Sequence, residues 1–300
     1  MRYSIIIPIY NDGYLAAACC DELARVFTAM LAPGATLDET LEIIFVNDGS
    51  PNDSLVDLLV LARQHAYVTV IDLSRNFGQH QAIACGFEAA QGEIIIRLNV
   101  DMQDPPAELP RLIEVLVNDD ADLVVGQYTA RHSPWFDKLT SAVYFRLFRF
   151  LTGLDVPRHT SPMRVMSRRF IDAYNRLTEK SRFPQGLDAW LGFRQRTVAI
   201  THQPRRDKKS SYTFGKRLRL ALSGILYFSD RPIKLVALLG LMLAAFGMLL
   251  GLAIIVSKLF GQDYLSGYAS LASIGLLTFG VQLACLGIIG LYIGKIVREV

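Results

Sequence analysis

The sequence is short of charged residues and of cysteine. Of its 300 residues, 20% are charged, 51% are apolar and four are cysteine. A chain this apolar is neither disordered nor collagen-like, and soluble domains usually carry about 25% charged residues, so the composition favours a membrane component. The cysteines form no CxxC pair and have no histidine at ligand spacing, which argues against structural zinc. We therefore expect a reduced domain that faces the cytoplasm.

Three further features are missing. The 31 basic and 28 acidic residues give a net charge of only +3, too little to imply a nucleic-acid partner. The N-terminal apolar run Ile5–Ile7 stops at Pro8, so it is too short for a signal peptide. No GxGxxG follows the first predicted strand, and no GxxxxGK[ST] occurs anywhere. A nucleotide site in this chain would therefore have to use side chains and a divalent metal.

Two long apolar stretches follow residue 231. The first, about 233–257, contains only the charge of Lys234, and the second, 268–293, contains none. Each exceeds the roughly 20 residues that a helix needs to cross a bilayer, and both are too long and too free of charge for two buried helices of a soluble core. Basic residues flank the pair, whereas the connecting loop carries only Asp263. The positive-inside rule then predicts that both termini are cytoplasmic.

The segment before these spans, 214–231, interleaves apolar residues with Lys216, Arg217 and Arg219. This pattern favours a basic helix that lies on an anionic membrane surface; the alternative is a linker helix packed on the soluble domain. Gly290 and Gly294 form a GxxxG pattern, which indicates either a helix contact or the ordinary tolerance of membrane helices for glycine. The predicted organisation is a soluble domain at 1–213, an interfacial helix at 214–231 and a membrane hairpin at 232–300.

Up to residue 213, short apolar runs alternate with longer amphipathic stretches, which is typical of an α/β domain with a mostly parallel sheet. The predicted strands are Ser4–Pro8, Glu42–Val46, Val68–Leu73, Glu93–Leu98 and Asp122–Val125. The predicted helices are Tyr14–Met30, Asp53–Arg63, Gln79–Ala90 and Pro106–Asn118. Ligands of such sheets bind beyond the carboxyl ends of the strands, so the residues there are the candidates for chemistry.

Each of the first four strands is followed by a carboxylate, an amide or an aromatic group beside a turn former. Asp48 could accept a hydrogen bond from a base or a ribose hydroxyl, and Tyr10 could stack on a base. Asp101, with Gln103 or Asp104, offers oxygen ligands for Mg²⁺ or Mn²⁺, and that metal would clamp a diphosphate. Asp104 alone is equally well explained as a cap of the helix that starts at the two following prolines.

Four of these segments together resemble the family 2 glycosyltransferases. The segments are Ile7–Asn11, Val46–Ser50, Arg75–Gly78 and Asp101–Pro106. More narrowly, they are similar to the polyprenyl-phosphate glycosyltransferases, which include dolichol-phosphate mannose synthase-like enzymes and bacterial enzymes that load undecaprenyl phosphate. The similarity runs to about residue 215, and the two apolar spans match the bacterial branch that is anchored in the inner membrane.

This resemblance implies a GT-A-type fold, a nucleotide-diphosphate sugar donor with UDP as the default nucleotide, and Mg²⁺ or Mn²⁺. It places Pro8, Tyr10, Asn11 and Asp48 at the nucleoside, and Arg75 and Asn76 near the base or the phosphates. It places the metal on Asp101 and Gln103. It gives Arg131, Arg205, Ser210 and Tyr212 to the acceptor phosphate, and it counts Arg164 among the catalytic cations. Without the resemblance, each of these arginines is also explained as a surface charge.

The chain departs from the family pattern at three positions. Asn99 stands where the family usually has the first Asp of Asp-Ala-Asp, Pro162 stands where many members have an Asp with a catalytic role, and Lys208 replaces a glycine. A phosphate monoester acceptor has a second pKa near 6, so it is already an anionic nucleophile and requires no protein base. Metal and arginines would then stabilise the leaving diphosphate, while Asn99 could still hydrogen-bond a donor hydroxyl.

The sequence therefore predicts an inverting glycosyltransferase that moves a sugar to undecaprenyl phosphate at the cytoplasmic membrane face. A second hypothesis keeps the donor and replaces the acceptor by another membrane lipid; a hydroxyl acceptor would need a base, which Pro162 does not supply. A third is a membrane-anchored nucleotide-sugar-binding protein with weakened catalysis, supported by Asn99 and Pro162. The glycine-rich spans would also permit a homo-oligomer, which the family's bacterial members often form.

Overall fold

The computed structural model describes residues 2–128, 160–177, 184–201 and 267–299, with scattered residues within 146–153 and 234–260. The chain falls into two compact units. The first comprises residues 1–145 and 154–212, and the second comprises 146–153 and 213–300. Most residues of the predicted interfacial helix and of the first predicted span lie outside the described residues, so the division into 214–231 and 232–300 stays a prediction.

A mixed seven-stranded sheet forms the first unit, in the order β3-β2-β1-β4-β6-β5-β7. The strands are β1 (Tyr3–Ile9), β2 (Leu41–Asn47), β3 (Val68–Asp72), β4 (Ile94–Arg97), β5 (Leu123–Tyr128), β6 (Thr160–Ser167) and β7 (Gln195–Ile200). All neighbouring pairs are parallel except those of β6, which runs antiparallel to both β4 and β5. The predicted α/β class with a mostly parallel sheet is confirmed.

Helices cover the sheet and connect its strands. They are α1 (Ala16–Thr28), α2 (Leu37–Thr40), α3 (Ser54–Gln64), α4 (Gln79–Ala89), α5 (Leu109–Asn118), α6 (Arg168–Asn175) and α7 (Pro184–Trp190), with 3-10 turns at Gly13–Leu15 and Pro106–Glu108. Every helix and strand predicted up to residue 125 is present, with ends within three residues. The central strand β1 buries Ile5, Ile6 and Ile7 completely, because helices pack on both of its faces.

A largely buried polar network joins the beginnings of three adjacent strands, β2, β1 and β4. The Ser4 hydroxyl on β1 donates to the Glu42 carboxylate on β2 at 2.6 Å and accepts the backbone N–H of Gly92, just before β4, at 2.7 Å. The same carboxylate accepts the N–H of Gln91 at 3.1 Å. Because Ser4 is completely buried and Glu42 is 8% exposed, their polar groups need hydrogen-bond partners within the protein. The network therefore fixes the non-catalytic end of the sheet.

The described part of the second unit is dominated by one long helix, α8 (Tyr268–Glu299). Many large apolar side chains on it are exposed, among them Leu271, Ile274 and Phe279. Within the described residues, no helix meets the combined length and hydropathy requirement for crossing a membrane. The two-span hairpin thus stays a prediction.

The Ser4 network yields a test of the fold. Ser4→Ala should leave the Gly92 N–H without its acceptor and the Glu42 carboxylate with the Gln91 N–H but without the Ser4 hydroxyl, at a cost of about 1–3 kcal/mol. For a domain of about 200 residues this lowers the melting temperature of the purified full chain by roughly 2–10 °C. The matched control is Thr28→Ala, which deletes an exposed hydroxyl that donates to the Ala24 carbonyl within α1. Equal melting temperatures for the two variants would contradict a stabilising role of the network.

Candidate functional site

One edge of the sheet collects the carboxyl ends of β1, β2, β3 and β4, because these strands run parallel. The loops that leave them begin at Tyr10, Asp48, Leu73 and Leu98. Strand β6 is antiparallel, so its first residues reach the same edge. All predicted donor-binding residues within the described part of the chain lie on this edge or in the loops that leave it. The site has the location expected for a ligand of a parallel α/β sheet.

Asp48 organises the loop that follows β3. Its side chain is 2% exposed, and its Oδ1 accepts the backbone N–H of Phe77 at 2.7 Å. Its Oδ2 accepts the N–H of Gly78 at 3.0 Å. Ionised carboxylates form stronger hydrogen bonds than neutral acceptors. The carboxylate therefore holds the Phe77–Gly78 turn in place, which the sequence did not predict. A carboxylate has about four acceptor sites, so these two hydrogen bonds leave lone pairs for a ligand.

The residue after Asp48 is Gly49, and the local backbone requires a glycine there. Its φ is +60°, in the left-handed region that glycine adopts without steric cost. A Cβ here would lie 2.4 Å from the carbonyl carbon of Arg75 and 2.6 Å from the nitrogen of Asn76. The backbones of the two loops therefore touch directly at Gly49, and any larger residue would push the Arg75–Gly78 loop away from Asp48.

Asn47, which precedes Asp48, forms hydrogen bonds to the end of β3 and to the loop after β2. The Asn47 Nδ2 donates to the Asp72 carboxylate at 2.7 Å, and the Asn47 Oδ1 accepts the hydroxyl of Ser50 at 2.6 Å. The Ser50 hydroxyl oxygen in turn accepts the backbone N–H of Asn11 at 3.1 Å. Partly buried hydrogen bonds thus connect the end of β3 with the loops after β2 and β1, which preorganises the groups around them.

The predicted donor-binding residues differ in exposure: Tyr10, Arg75 and Asn76 are exposed, whereas Pro8 and Asn11 are partly buried. Tyr10 is 46% exposed, as needed for stacking on a base, and the Arg75 guanidinium lies 4.7 Å above the Phe77 ring. Asn11 adopts a left-handed φ of 67°, and its side-chain Oδ1 is buried without a hydrogen-bond partner. Pro8, the last predicted member of this group, lies within β1 and is partly buried, and Asn76 is exposed.

Asp101 and Gln103 lie in the loop after β4, and both side chains are partly exposed. The Asp101 Oδ1 accepts the backbone N–H of Gln103 at 3.4 Å, and Met102 between them has a left-handed φ of 51°. Among the described residues, no three His, Cys, Asp or Glu side chains form a metal-binding group. This donor set suits a cation such as Mg²⁺ that takes one or two protein oxygens and completes its shell with water and substrate phosphates.

Asp104 does not cap a helix, and its Oδ1 is buried without a hydrogen-bond partner among the described residues, so its role as a metal ligand stays a prediction. It is 3% exposed, and its Oδ2 accepts the Ser161 hydroxyl at 2.5 Å. The 3-10 turn at Pro106–Glu108 has Pro105 at its N-cap. Asp104 therefore fastens the loop after β4 to the start of β6, which a single sequence does not reveal because the two segments are 57 residues apart.

Two of the three departures from the family pattern lie near this contact. Strands β4 and β6 pair with Arg97 opposite Arg164, where the pairing ends. Asn99 lies two residues beyond Arg97, and Pro162 lies two residues before Arg164, so both lie at the same end of this strand pair. The Asn99 Oδ1 accepts a hydrogen bond from the Nε2 of Gln79, the first residue of α4, at 3.2 Å.

Arg164, a predicted catalytic cation, is buried and committed to other protein groups. Only 3% of it is exposed, and its Nε donates to the Asp188 carboxylate at 2.8 Å. Its Nη1 donates to the carbonyls of Ser161 and Pro162 at 3.0 and 3.3 Å. This geometry makes Arg164 a positioning residue for the start of β6, whose direct contact with a substrate phosphate stays a prediction.

Sequence reasoning overlooked Arg97 and His80, which lie beside Arg164. Burial, reinforced by Arg164, lowers the pKa of Arg97 to about 9, while Asp188 and Tyr174 oppose this shift in part. Burial and the two arginines lower the pKa of His80 to about 4, so this imidazole is neutral near pH 7. The available signal was a lone charge inside the apolar run Ile94–Leu98 of a strand predicted to be buried on both faces.

Four predicted acceptor-phosphate residues, Arg131, Arg205, Ser210 and Tyr212, lie outside the described residues.

Comparison with known proteins agrees with this architecture. A solved mannosyltransferase from Pyrobaculum calidifontis superposes with a TM-score of 0.52 at 16% identity, covering 99% of this chain and 86% of that one. The glucosyl-3-phosphoglycerate synthase of Mycobacterium tuberculosis superposes with a TM-score of 0.50 at 18% identity, covering 76% and 80%. At these identities the likeness establishes the GT-A-like fold.

Sequence comparison is more specific. The chain is 35% identical over its full length to the uncharacterized glycosyltransferase YkcC of Bacillus subtilis, covering 90% of that protein. It is 30% identical over its full length to the undecaprenyl-phosphate 4-deoxy-4-formamido-L-arabinose transferase of Proteus mirabilis, again covering 90%. Residues 4–174 match the family described as glycosyl transferase family 2. The chain belongs to this family and is a glycosyltransferase.

Proposed function

We propose that the protein transfers a sugar, with inversion, from a nucleotide-diphosphate sugar to a polyprenyl phosphate, specifically undecaprenyl phosphate. The observation that carries the proposal is the layer of hydrogen bonds at the sheet edge. Asp48 holds the Phe77–Gly78 turn, and Asn47 joins that loop to the one after β1. The layer leaves Tyr10 and Arg75 exposed above it, where a base and its phosphates would bind.

The donor diphosphate would be held by a divalent metal on Asp101 and Gln103. The fit rests on the partly exposed oxygens of these side chains and on the few ligands that Mg²⁺ requires from protein. The two structural neighbours named above were solved with Mn²⁺, one with UDP and the other with GDP-mannose. We propose Mg²⁺ or Mn²⁺ for this chain, with UDP as the nucleotide. The metal would supply a positive charge to the leaving diphosphate.

The acceptor follows from chemistry and from the relatives. The Proteus mirabilis relative is named for undecaprenyl phosphate. A phosphate monoester is mostly a dianion at neutral pH, so it can attack the sugar carbon without a protein base. Asn99 and Pro162, which lack the carboxylates of the family pattern, are then compatible with turnover. Arg131, Arg205, Ser210 and Tyr212 are our proposed contacts to this phosphate.

The proposed location is the cytoplasmic face of a bacterial-type plasma membrane, with both termini in the cytoplasm. Exposed apolar side chains along α8, including Leu271, Phe279 and Leu286, need a lipid or protein environment. A lipid acceptor also requires the active site to lie at a bilayer surface. The predicted basic helix at 214–231 would hold the acceptor phosphate near the site.

One alternative has a specific observation in its favour. Asn99 and Pro162 both lack the carboxylate of the family pattern, as expected of a nucleotide-sugar-binding protein with weakened catalysis. An acceptor with a hydroxyl nucleophile is disfavoured by the same pair, since a hydroxyl needs a base. Turnover of a nucleotide sugar by the purified protein with undecaprenyl phosphate separates these functions.

The metal assignment predicts that Asp101→Ala lowers kcat at least a hundredfold, because the leaving diphosphate loses its electrostatic stabilisation. Chelation of the wild type by EDTA should have the same effect, with recovery on adding Mn²⁺ or Mg²⁺. Asp57→Asn, which changes an exposed carboxylate on α3, is the matched control. Near-wild-type turnover of Asp101→Ala, with an unchanged melting temperature, would remove the metal from this position.

Asp48→Ala should weaken nucleotide affinity by about ten- to a hundredfold, since hydrogen bonds to a charged group are each worth about 1.5–3 kcal/mol. The structure adds a second cause, because the Phe77 and Gly78 N–H groups lose their acceptor and the loop beneath the base is released. Titration calorimetry with UDP and Mn²⁺ measures the effect, and Asp57→Asn again serves as control. If UDP binds both variants equally, Asp48 and its loop lie outside the donor site.

The base-free mechanism predicts a pH profile with one ascending limb near pH 6, set by ionisation of the acceptor phosphate. Pro162→Asp should change the rate by less than about tenfold, because it adds a base to a reaction that needs none and places negative charge beside two anions. Rates are measured from about pH 5 to 9 at saturating lipid phosphate. A gain of a hundredfold or more in Pro162→Asp would instead favour the weakened-catalyst alternative.

A further inference from the structure

A buried cluster of two arginines, one histidine and one aspartate lies behind the proposed donor site. Arg97 at the end of β4 stands opposite Arg164 on β6, and 7% and 3% of these residues are exposed. Asp188 on α7 and His80 in the first turn of α4 complete the cluster. With His80 neutral, two positive charges face one negative charge. A surplus positive charge away from water is costly unless it has a partner.

Arg97 carries this surplus. The Asp188 Oδ2 is already engaged by the Arg164 Nε at 2.8 Å. Between described residues, the Arg97 guanidinium makes no hydrogen bond and has no carboxylate within 4.0 Å, and its Nε is buried without a partner. The Nδ1 of His80 is likewise buried and unpartnered. The Arg97 Nε–H is a hydrogen-bond donor, so its lack of a partner indicates that a group with acceptor oxygens is missing, whereas the Nδ1 of neutral His80 donates or accepts according to its tautomer.

The position of the cluster indicates where such a group would come from. Arg97 precedes Asn99 by two residues, so the two are about 7 Å apart along the chain. Asn99 contacts Gln79, whose neighbour in α4 is the partly exposed His80. Adjacent residues at the beginning of α4 therefore link Asn99 to the cluster that contains Arg97. The N-terminus of this 11-residue helix adds a positive partial charge.

We propose that Arg97, positioned by Arg164 and with His80 beside it, binds an oxyanion of the donor substrate, namely a carboxylate on the transferred sugar. The proposal deepens the function proposed above and rests on it, because Asn99 is taken to contact a donor hydroxyl. The guanidinium offers a planar fork of donors that matches a carboxylate or a phosphoryl group. The diphosphate is the second possible source of the same chemistry, and the experiment distinguishes the two.

Binding of UDP-glucose, UDP-glucuronate and UDP, each with Mn²⁺, is measured by titration calorimetry on the full-length protein. The wild type should bind UDP-glucuronate about ten- to a hundredfold more tightly than UDP-glucose. Arg97→Met should abolish this preference and leave the affinity for UDP-glucose unchanged. Arg97→Lys, which keeps the charge and loses the fork, should retain part of the preference. Arg63→Met, which removes an exposed arginine on α3, is the control.

If Arg97→Met instead weakens all three ligands equally, the oxyanion is the diphosphate. Unchanged affinities for all three ligands in Arg97→Met would overturn the proposal. Protein stability gives an independent readout, because removing an unpaired buried charge should raise the melting temperature of the ligand-free protein by several degrees. A large fall in melting temperature would show that Arg97 is purely structural, which also overturns the proposal.

Failure of the proposed function has a different signature. If the wild type binds none of the UDP ligands, inorganic phosphate decides whether the oxyanion site exists. Phosphate should raise the melting temperature of the wild type more than that of Arg97→Met, with Arg63→Met behaving as the wild type. Equal shifts in the wild type and Arg97→Met would overturn the oxyanion site itself.

Discussion

The parallel register of β1, β2, β3 and β4 is the constraint on which the whole site depends. It brings the loops that follow these four strands to one edge of the sheet; they begin at Tyr10, Asp48, Leu73 and Leu98. Loops that converge in this way carry many backbone N–H groups with no strand to pair with, and each needs an acceptor. The chain supplies acceptors from within the loops, chiefly the side chains of Asp48, Asn47 and Ser50. The polar residues after each strand are therefore structural before they are functional.

This double role changes how Asp48 is understood. A carboxylate that only touched a nucleoside could be removed at the cost of that contact alone. Asp48 also fixes the Phe77–Gly78 turn, and Gly49 next to it permits direct backbone contact with Arg75. Ligand affinity and loop geometry are thus coupled through one side chain. The same coupling operates at the start of β6, where Arg164 holds the carbonyls of Ser161 and Pro162.

The sequence was sufficient for the local part of this architecture and insufficient for the rest. The spacing of apolar residues, the short apolar runs and the turn residues predicted the helices and strands up to residue 125, because each of these signals lies within or beside a single helix or strand. Strand β6 was missed: its antiparallel insertion between β4 and β5 depends on pairing across about 70 residues. The same holds for the contact of Asp104 with Ser161. The sequence shows Arg97 as a charged residue within an apolar strand. Only the structure, which places Arg164, Asp188 and His80 around it, shows that the Arg97 Nε has no hydrogen-bond partner.

The departures from the family pattern at Asn99 and Pro162 have the same effect on the net charge of the site. Both replace a carboxylate of the family pattern by an uncharged residue, and they lie at the same end of the β4–β6 pair. Arg97, two residues before Asn99, adds a cation that no carboxylate within 4.0 Å balances among the described residues. All three residues make this side of the site more positive. In a region of low dielectric, such a change favours substrates with additional negative charge and disfavours an added base. The missing carboxylates therefore fit an enzyme adapted to anionic substrates at least as well as one that has lost its catalytic power.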